Sequence, residues 1–88
     1  MERKKFTINK RLDVWNNDPN CKGRKNCKDL FGREIKLDHY NLKDQYGWTI
    51  DHVKPLAFGG GDEIENLQPL HWKSNLEKGD SPHFCKRL

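Results

Sequence analysis

No stretch of this sequence is apolar for long enough to cross a bilayer, so no membrane-spanning helix is expected. The basic opening MERKKFTINKRLDVW leads into no apolar core, which argues against a secretory leader. Cysteine is scarce and odd in number, at three. That count suits a reducing compartment better than a disulfide framework, so the expected location is cytoplasmic. Repeats and low-complexity tracts are also missing, which excludes solenoids and disordered tails as the main architecture. Apolar residues make up only 33% of the chain and charged residues 34%. Even so, three Trp, four Phe and two Tyr are present. A small folded core under a highly charged surface follows, and residues 1–88 read as one domain. A chain this short buries only about 60% of the surface it exposes when unfolded.

Positive charge is what the sequence has in excess. The net charge is +4 and the sequence pI about 9.1. The basic residues come in groups: Arg3 to Lys5, Lys10 with Arg11, and Lys22, Arg24, Lys25 and Lys28. Such groups fit a polyanionic partner, because neutralising phosphates releases bound counterions. They fit a merely solvated basic surface equally well, and charge alone leaves both readings open.

The order of elements is legible from local chemistry. Residues 1–6 read as a basic arm, and Thr7 can cap a helix over roughly 8–16, with Ile8, Leu12 and Trp15 on one face. NNDPN stops that helix, and CKGRKNC, 21–27, follows as a basic loop. KDLFGREIKL predicts a small hairpin turning near Gly32, with Phe31, Ile35 and Leu37 available to the core. GWTIDHV, 47–53, has the Trp, Thr, Ile and Val content of a strand. KPLAFGGGDEIE, 54–65, is a loop, and NLQPL, 66–70, a short strand that Pro69 confines to a sheet edge. HWKSNLEKGD predicts a helix ended by Gly79, and 81–88 form a tail.

Four polar residues stand out in the second half: Asp51, His52, Asn66 and Asn75. Asp and Asn supply the oxygen ligands that magnesium or manganese prefer. A histidine with an ordinary pKa near 6.5 can take a proton from water at neutral pH. A hard cation beside a general base suits hydrolysis of a phosphate ester. Asp, His and Asn are also common loop and cap residues, so these spacings alone leave a structural reading open.

The whole segment GWTIDHVKPLAFGGGDEIENLQPLHWKSNLEKGD, 47–80, resembles the HNH family of nucleases. The matching positions are Asp51 and His52, Pro55, Gly59 and Gly60, Asn66 and Leu67, Asn75, and Lys78. The HNH domain of RNA-guided nucleases is similar in the same Asp-His, Asn, Asn order. The resemblance implies an α+β fold with a small ββα-metal core, preceded here by the N-terminal helix and small hairpin. It implies a metal-dependent endonuclease that hydrolyses DNA, most naturally double-stranded, to 5′-phosphate and 3′-hydroxyl ends. His52 would be the general base, Asn66 would orient it through a hydrogen bond, and Asp51 and Asn75 would ligate one divalent metal. Lys54, His71, Lys73 and Lys78 are the candidate nucleic-acid contacts.

Two positions depart from the family pattern. Asn75 stands where many members have His, which favours magnesium or manganese over zinc or nickel. Many members also hold a structural zinc with two Cys-x-x-Cys pairs. Here His71 and Ser74 replace one pair, and Cys21 and Cys27 are six apart, so no structural zinc is expected. Trp15, Trp48, Trp72, Phe31 and Phe58 must then carry the core. Adjacent Asp51 and His52 would face opposite sides of a regular strand, so an irregular strand exit is expected before Pro55. The main alternative is a catalytically silent nucleic-acid-binding module of the same fold; a zinc-binding adaptor is a third. A homodimer or a larger phage or bacterial complex is compatible with the resemblance.

Overall fold

The computed structural model describes residues 6–79. The tail and all of the basic arm except Phe6 lie outside the described residues, as does Cys85.

Helix α1 spans Ile8–Asn17, and Thr7 caps it by accepting a 3.1 Å hydrogen bond from the Lys10 amide. Its buried residues are Val14 and Trp15, whereas Ile8 and Leu12 stay exposed. Of the face expected to turn inward, only Trp15 does so, with Val14 beside it. Trp15 fixes the inward face, because its indole N–H donates to the Arg24 carbonyl at 2.8 Å and its ring packs 5.1 Å from that of Trp48.

That indole contact holds the basic loop against α1 and brings Cys21 and Cys27 together. Their Cα atoms lie 5.0 Å apart and their sulfurs form a disulfide. The expectation of unpaired cysteines is thus corrected. An odd total constrains the remaining thiol, not a local pair six residues apart.

Strands β1 (Asn26–Lys28) and β2 (Glu34–Lys36) form the expected antiparallel hairpin, with Ile35 fully buried. Strands β3 (Trp48–His52) and β4 (Leu67–His71) form a second antiparallel pair, in which Asp51 faces Gln68 and His52 faces Leu67. Among the described residues β4 has a sheet neighbour on one side only, so the amide donor missing at Pro69 is tolerated. Helix α2 (Trp72–Lys78) follows at once and ends at Gly79, whose φ of +55° lies in the region glycine tolerates best. Two strands and a helix thus form a ββα unit, and with α1 and the first hairpin the architecture is mixed α+β.

The core gathers Val14, Trp15, Cys21, Cys27, Ile35, Trp48, Ile50 and Leu67. Of the five aromatics expected to carry it, Trp15 and Trp48 are fully buried, Trp72 and Phe31 are half-buried, and Phe58 is exposed. A polar knot does the rest. Buried Asp29 accepts from the Phe31, Arg33 and His71 amides, each at 2.9 Å. Arg33 donates to Ser74 Oγ at 2.9 Å and makes a two-pronged contact with Glu77. The first hairpin is thereby tied to the junction of β4 and α2. Among the described residues, no helix is long and apolar enough to cross a membrane.

Candidate active site

β3 is regular through His52, so Asp51 and His52 leave it on opposite faces. The chain bends at Val53 and Lys54, ahead of Pro55 but after the pair, so the irregular exit does not bring both side chains to one face. The ladder runs one hydrogen bond further, from the Val53 amide to the Asn66 carbonyl at 2.8 Å.

Asp51 points toward α2 and is only 6% exposed. Its Oδ2 accepts from Gln68 Nε2 at 2.9 Å and lies 3.4 Å from the Lys78 ammonium. Burial pushes the Asp51 carboxyl above its ordinary value. The Gln68 hydrogen bond, Lys78 and His52 offset only part of that rise. Asn75 stands on the same face. Its Nδ2 donates to Thr49 Oγ1 at 2.9 Å, and Thr49 is two residues before Asp51. The side-chain oxygens of Asp51 and Asn75 are therefore the donors that this corner offers to a cation. Beside them a cleft of about 180 Å³ is lined by Asn41, Leu42, Lys43, Thr49 and Trp72, among others.

Two of the candidate nucleic-acid contacts are not on the surface. Lys78 is 3% exposed, because it lies one turn beyond Asn75 on the side of α2 that packs against β3. Its ammonium donates to the His52 carbonyl at 3.1 Å as well as pairing with Asp51. His71 is also 3% exposed and serves as the cap of α2. Its Nδ1 accepts from the Lys73 amide at 3.0 Å and its Nε2 donates to the Gln45 carbonyl at 2.8 Å. Both ring nitrogens are thus used inside the fold. Lys54 and Lys73 are exposed.

His52 is held from a different direction. Its Nε2 lies 2.7 Å from Asp62 Oδ1, and the Phe6 ring packs 6.3 Å away. Asn66 makes no hydrogen bond to the imidazole, which corrects the direct contact expected from the sequence. Its Oδ1 accepts from the Lys54 amide at 2.7 Å, and its Nδ2 donates to the Lys54 and Gly61 carbonyls. Asn66 thus stitches the two ends of the 54–66 loop. The stitch needs Gly60, where a Cβ would sit 1.8 Å from the Lys54 carbonyl oxygen and 2.9 Å from Asn66 Nδ2.

Asp62, Gln68 and Thr49 are the site residues that sequence reasoning missed. Gln68 had a usable signal, since pairing the two strands in this register sets it opposite Asp51. Asp62 is the first acid after the glycine run, but nothing in that spacing names its partner.

Among the described residues, no three His, Cys, Asp or Glu side chains converge to hold a metal ion. One buried carboxylate and one amide oxygen match a hard cation that keeps several of its waters. The Lys78 ammonium beside Asp51 shows that the carboxylate draws positive charge to this point.

A family model described as HNH endonuclease matches residues 21–81. No curated protein and no solved structure matches the chain. The family match takes in both hairpins, the loop between β3 and β4, and α2, well over half of the 88 residues. The chain belongs to the HNH endonuclease family, whose work is on nucleic acid.

Proposed function

We propose that the protein is a metal-dependent endonuclease that hydrolyses phosphodiester bonds of double-stranded DNA. His52 acts as the general base, and 5′-phosphate and 3′-hydroxyl ends result. The observation that carries the reading is the division of labour at the end of β3. Buried Asp51 and half-buried Asn75 share the α2 face, while His52, the residue after Asp51, is half-buried and fixed by a carboxylate. Asp51 and Asn75 would hold one magnesium or manganese ion. When bound, such an ion stabilises charge on the phosphoryl group and the leaving oxygen. The His52 imidazole takes the proton from the attacking water. Lys54, just past β3, and Lys73, on the first turn of α2, are both exposed and would bind flanking phosphates.

One observation favours a second reading. Asp51 is already engaged by Gln68 and by the Lys78 ammonium, a state that a silent nucleic-acid-binding module could retain. The two readings separate in one assay. Supercoiled plasmid is incubated with the protein in magnesium, manganese or chelator, beside His52→Ala. The nuclease reading expects metal-dependent nicked or linear product that His52→Ala loses, with ends that a ligase reseals. Plasmid retarded but uncut in every metal supports the silent module.

A further inference from the structure

The base of a water-activating site needs one ring nitrogen unprotonated and correctly aimed, and which nitrogen that is depends on the partner of the other. In His52 the partnered atom is Nε2, at 2.7 Å from Asp62 Oδ1. A carboxylate can only accept. The neutral imidazole at this contact therefore carries its proton on Nε2, and Nδ1 keeps the unshared pair. Asp62 in turn is set by the loop that Asn66 stitches. Asn66 Nδ2 holds the Gly61 carbonyl at 2.8 Å, and Asp62 is the next residue. The loop is closed further by the Gly60 amide donating to the Pro55 carbonyl at 3.1 Å. A chain of contacts thus runs from Asn66 through Gly61 and Asp62 to His52.

We propose that Asp62 is the positioning residue of the His52 base: it fixes the imidazole tautomer and orientation so that Nδ1 receives the proton of the attacking water. The proposal rests on the assignment of His52 as the base. It also gives Asn66 a task that the sequence pattern alone did not: Asn66 acts on His52 through Asp62, at one remove. A carboxylate in this position stabilises the imidazolium that forms when the water is deprotonated, and it does so without itself taking the proton.

The test joins spectroscopy with kinetics on the full chain. Long-range ¹H–¹⁵N correlation spectra of the neutral imidazoles are recorded for wild type, Asp62→Ala and Asp62→Asn, with thermal melts to confirm folding. Wild type should show His52 protonated on Nε2 alone. Asp62→Ala should show a mixture of tautomers and lower kcat for plasmid cleavage by about ten-fold or more, within the 10²–10⁴-fold that a general base supplies. KM should hold, because no phosphate contact is removed. Asp62→Asn keeps an acceptor oxygen and should retain the wild-type tautomer and more of the rate than Asp62→Ala. An unchanged His52 tautomer in Asp62→Ala, or a kcat within about two-fold of wild type, overturns the proposal. If wild type cuts no DNA, the nuclease reading and the base role fall together, and the spectra decide only whether Asp62 fixes the His52 tautomer.

Discussion

The two faces of β3 treat neighbouring residues in opposite ways. On one face, Asp51 is closed in by a helix and a strand, with Gln68 and Lys78 on the same carboxylate oxygen. On the other, His52 is half-buried at the sheet's end and takes its partner from a loop. Regular secondary structure supplies the charge-bearing pocket, because Asp51, Asn75 and Lys78 need only strand alternation and a helical turn to meet. The His52 imidazole is set by irregular backbone, which strand geometry cannot specify. The buried charges are therefore bound to stability, and the His52 imidazole to loop integrity.

The largest effect on stability should come from the helix face. Lys78→Met fills the same space but leaves the Asp51 carboxylate buried without its cation. About 3–5 kcal/mol of folding stability should be lost, read from urea denaturation at neutral pH. A loss as small as that of an exposed lysine would show that Asp51 does not depend on Lys78, and the contrast between the faces would weaken.

A smaller effect separates two carboxylates by the sign of their pH dependence. Burial raises the Asp51 pKa, so protonated Asp51 folds at less cost than the anion. Its contribution to stability is present below the unfolded carboxylate value and is lost as pH rises through the raised folded value. Glu77 runs the other way. The Arg33 hydrogen bond holds its pKa below the ordinary value, so its contribution is present above the unfolded value and lost as pH falls through the lowered one. Melting temperatures followed across the acid range in chelator should lose the alkaline-side decline in Asp51→Asn. Glu77→Gln should change only the acid side, and only slightly, since that pair is exposed to solvent.

The sequence showed most of the frame and half of the site. The strand expected over 47–53 is observed at 48–52, and the helix does stop at Gly79, because these follow from β-rich composition and from glycine chemistry. The loop partners were not legible. Asn66 bonds backbone carbonyls and an amide, and which backbone groups a loop presents depends on dihedral angles that no spacing encodes. His71 and Lys78 looked like surface cations because their types are usually exposed. Only their packing shows that one caps a helix and the other neutralises a buried acid. The disulfide escaped a reading based on cysteine count, since pairing depends on the fold of the 21–27 loop.

Asp51 and His52 are held to do separate jobs, and measuring both jobs on the same variants tests that most directly. Manganese binding, by the loss of its free-ion electron paramagnetic resonance signal, and single-turnover DNA cleavage would be recorded for wild type, His52→Ala and Asp51→Asn. The account predicts that His52→Ala binds manganese as wild type does but loses roughly 10²–10⁴-fold in cleavage rate. Asp51→Asn should lose manganese binding and cleavage together. Manganese affinity that falls equally in both variants, or cleavage that survives in His52→Ala, would contradict it.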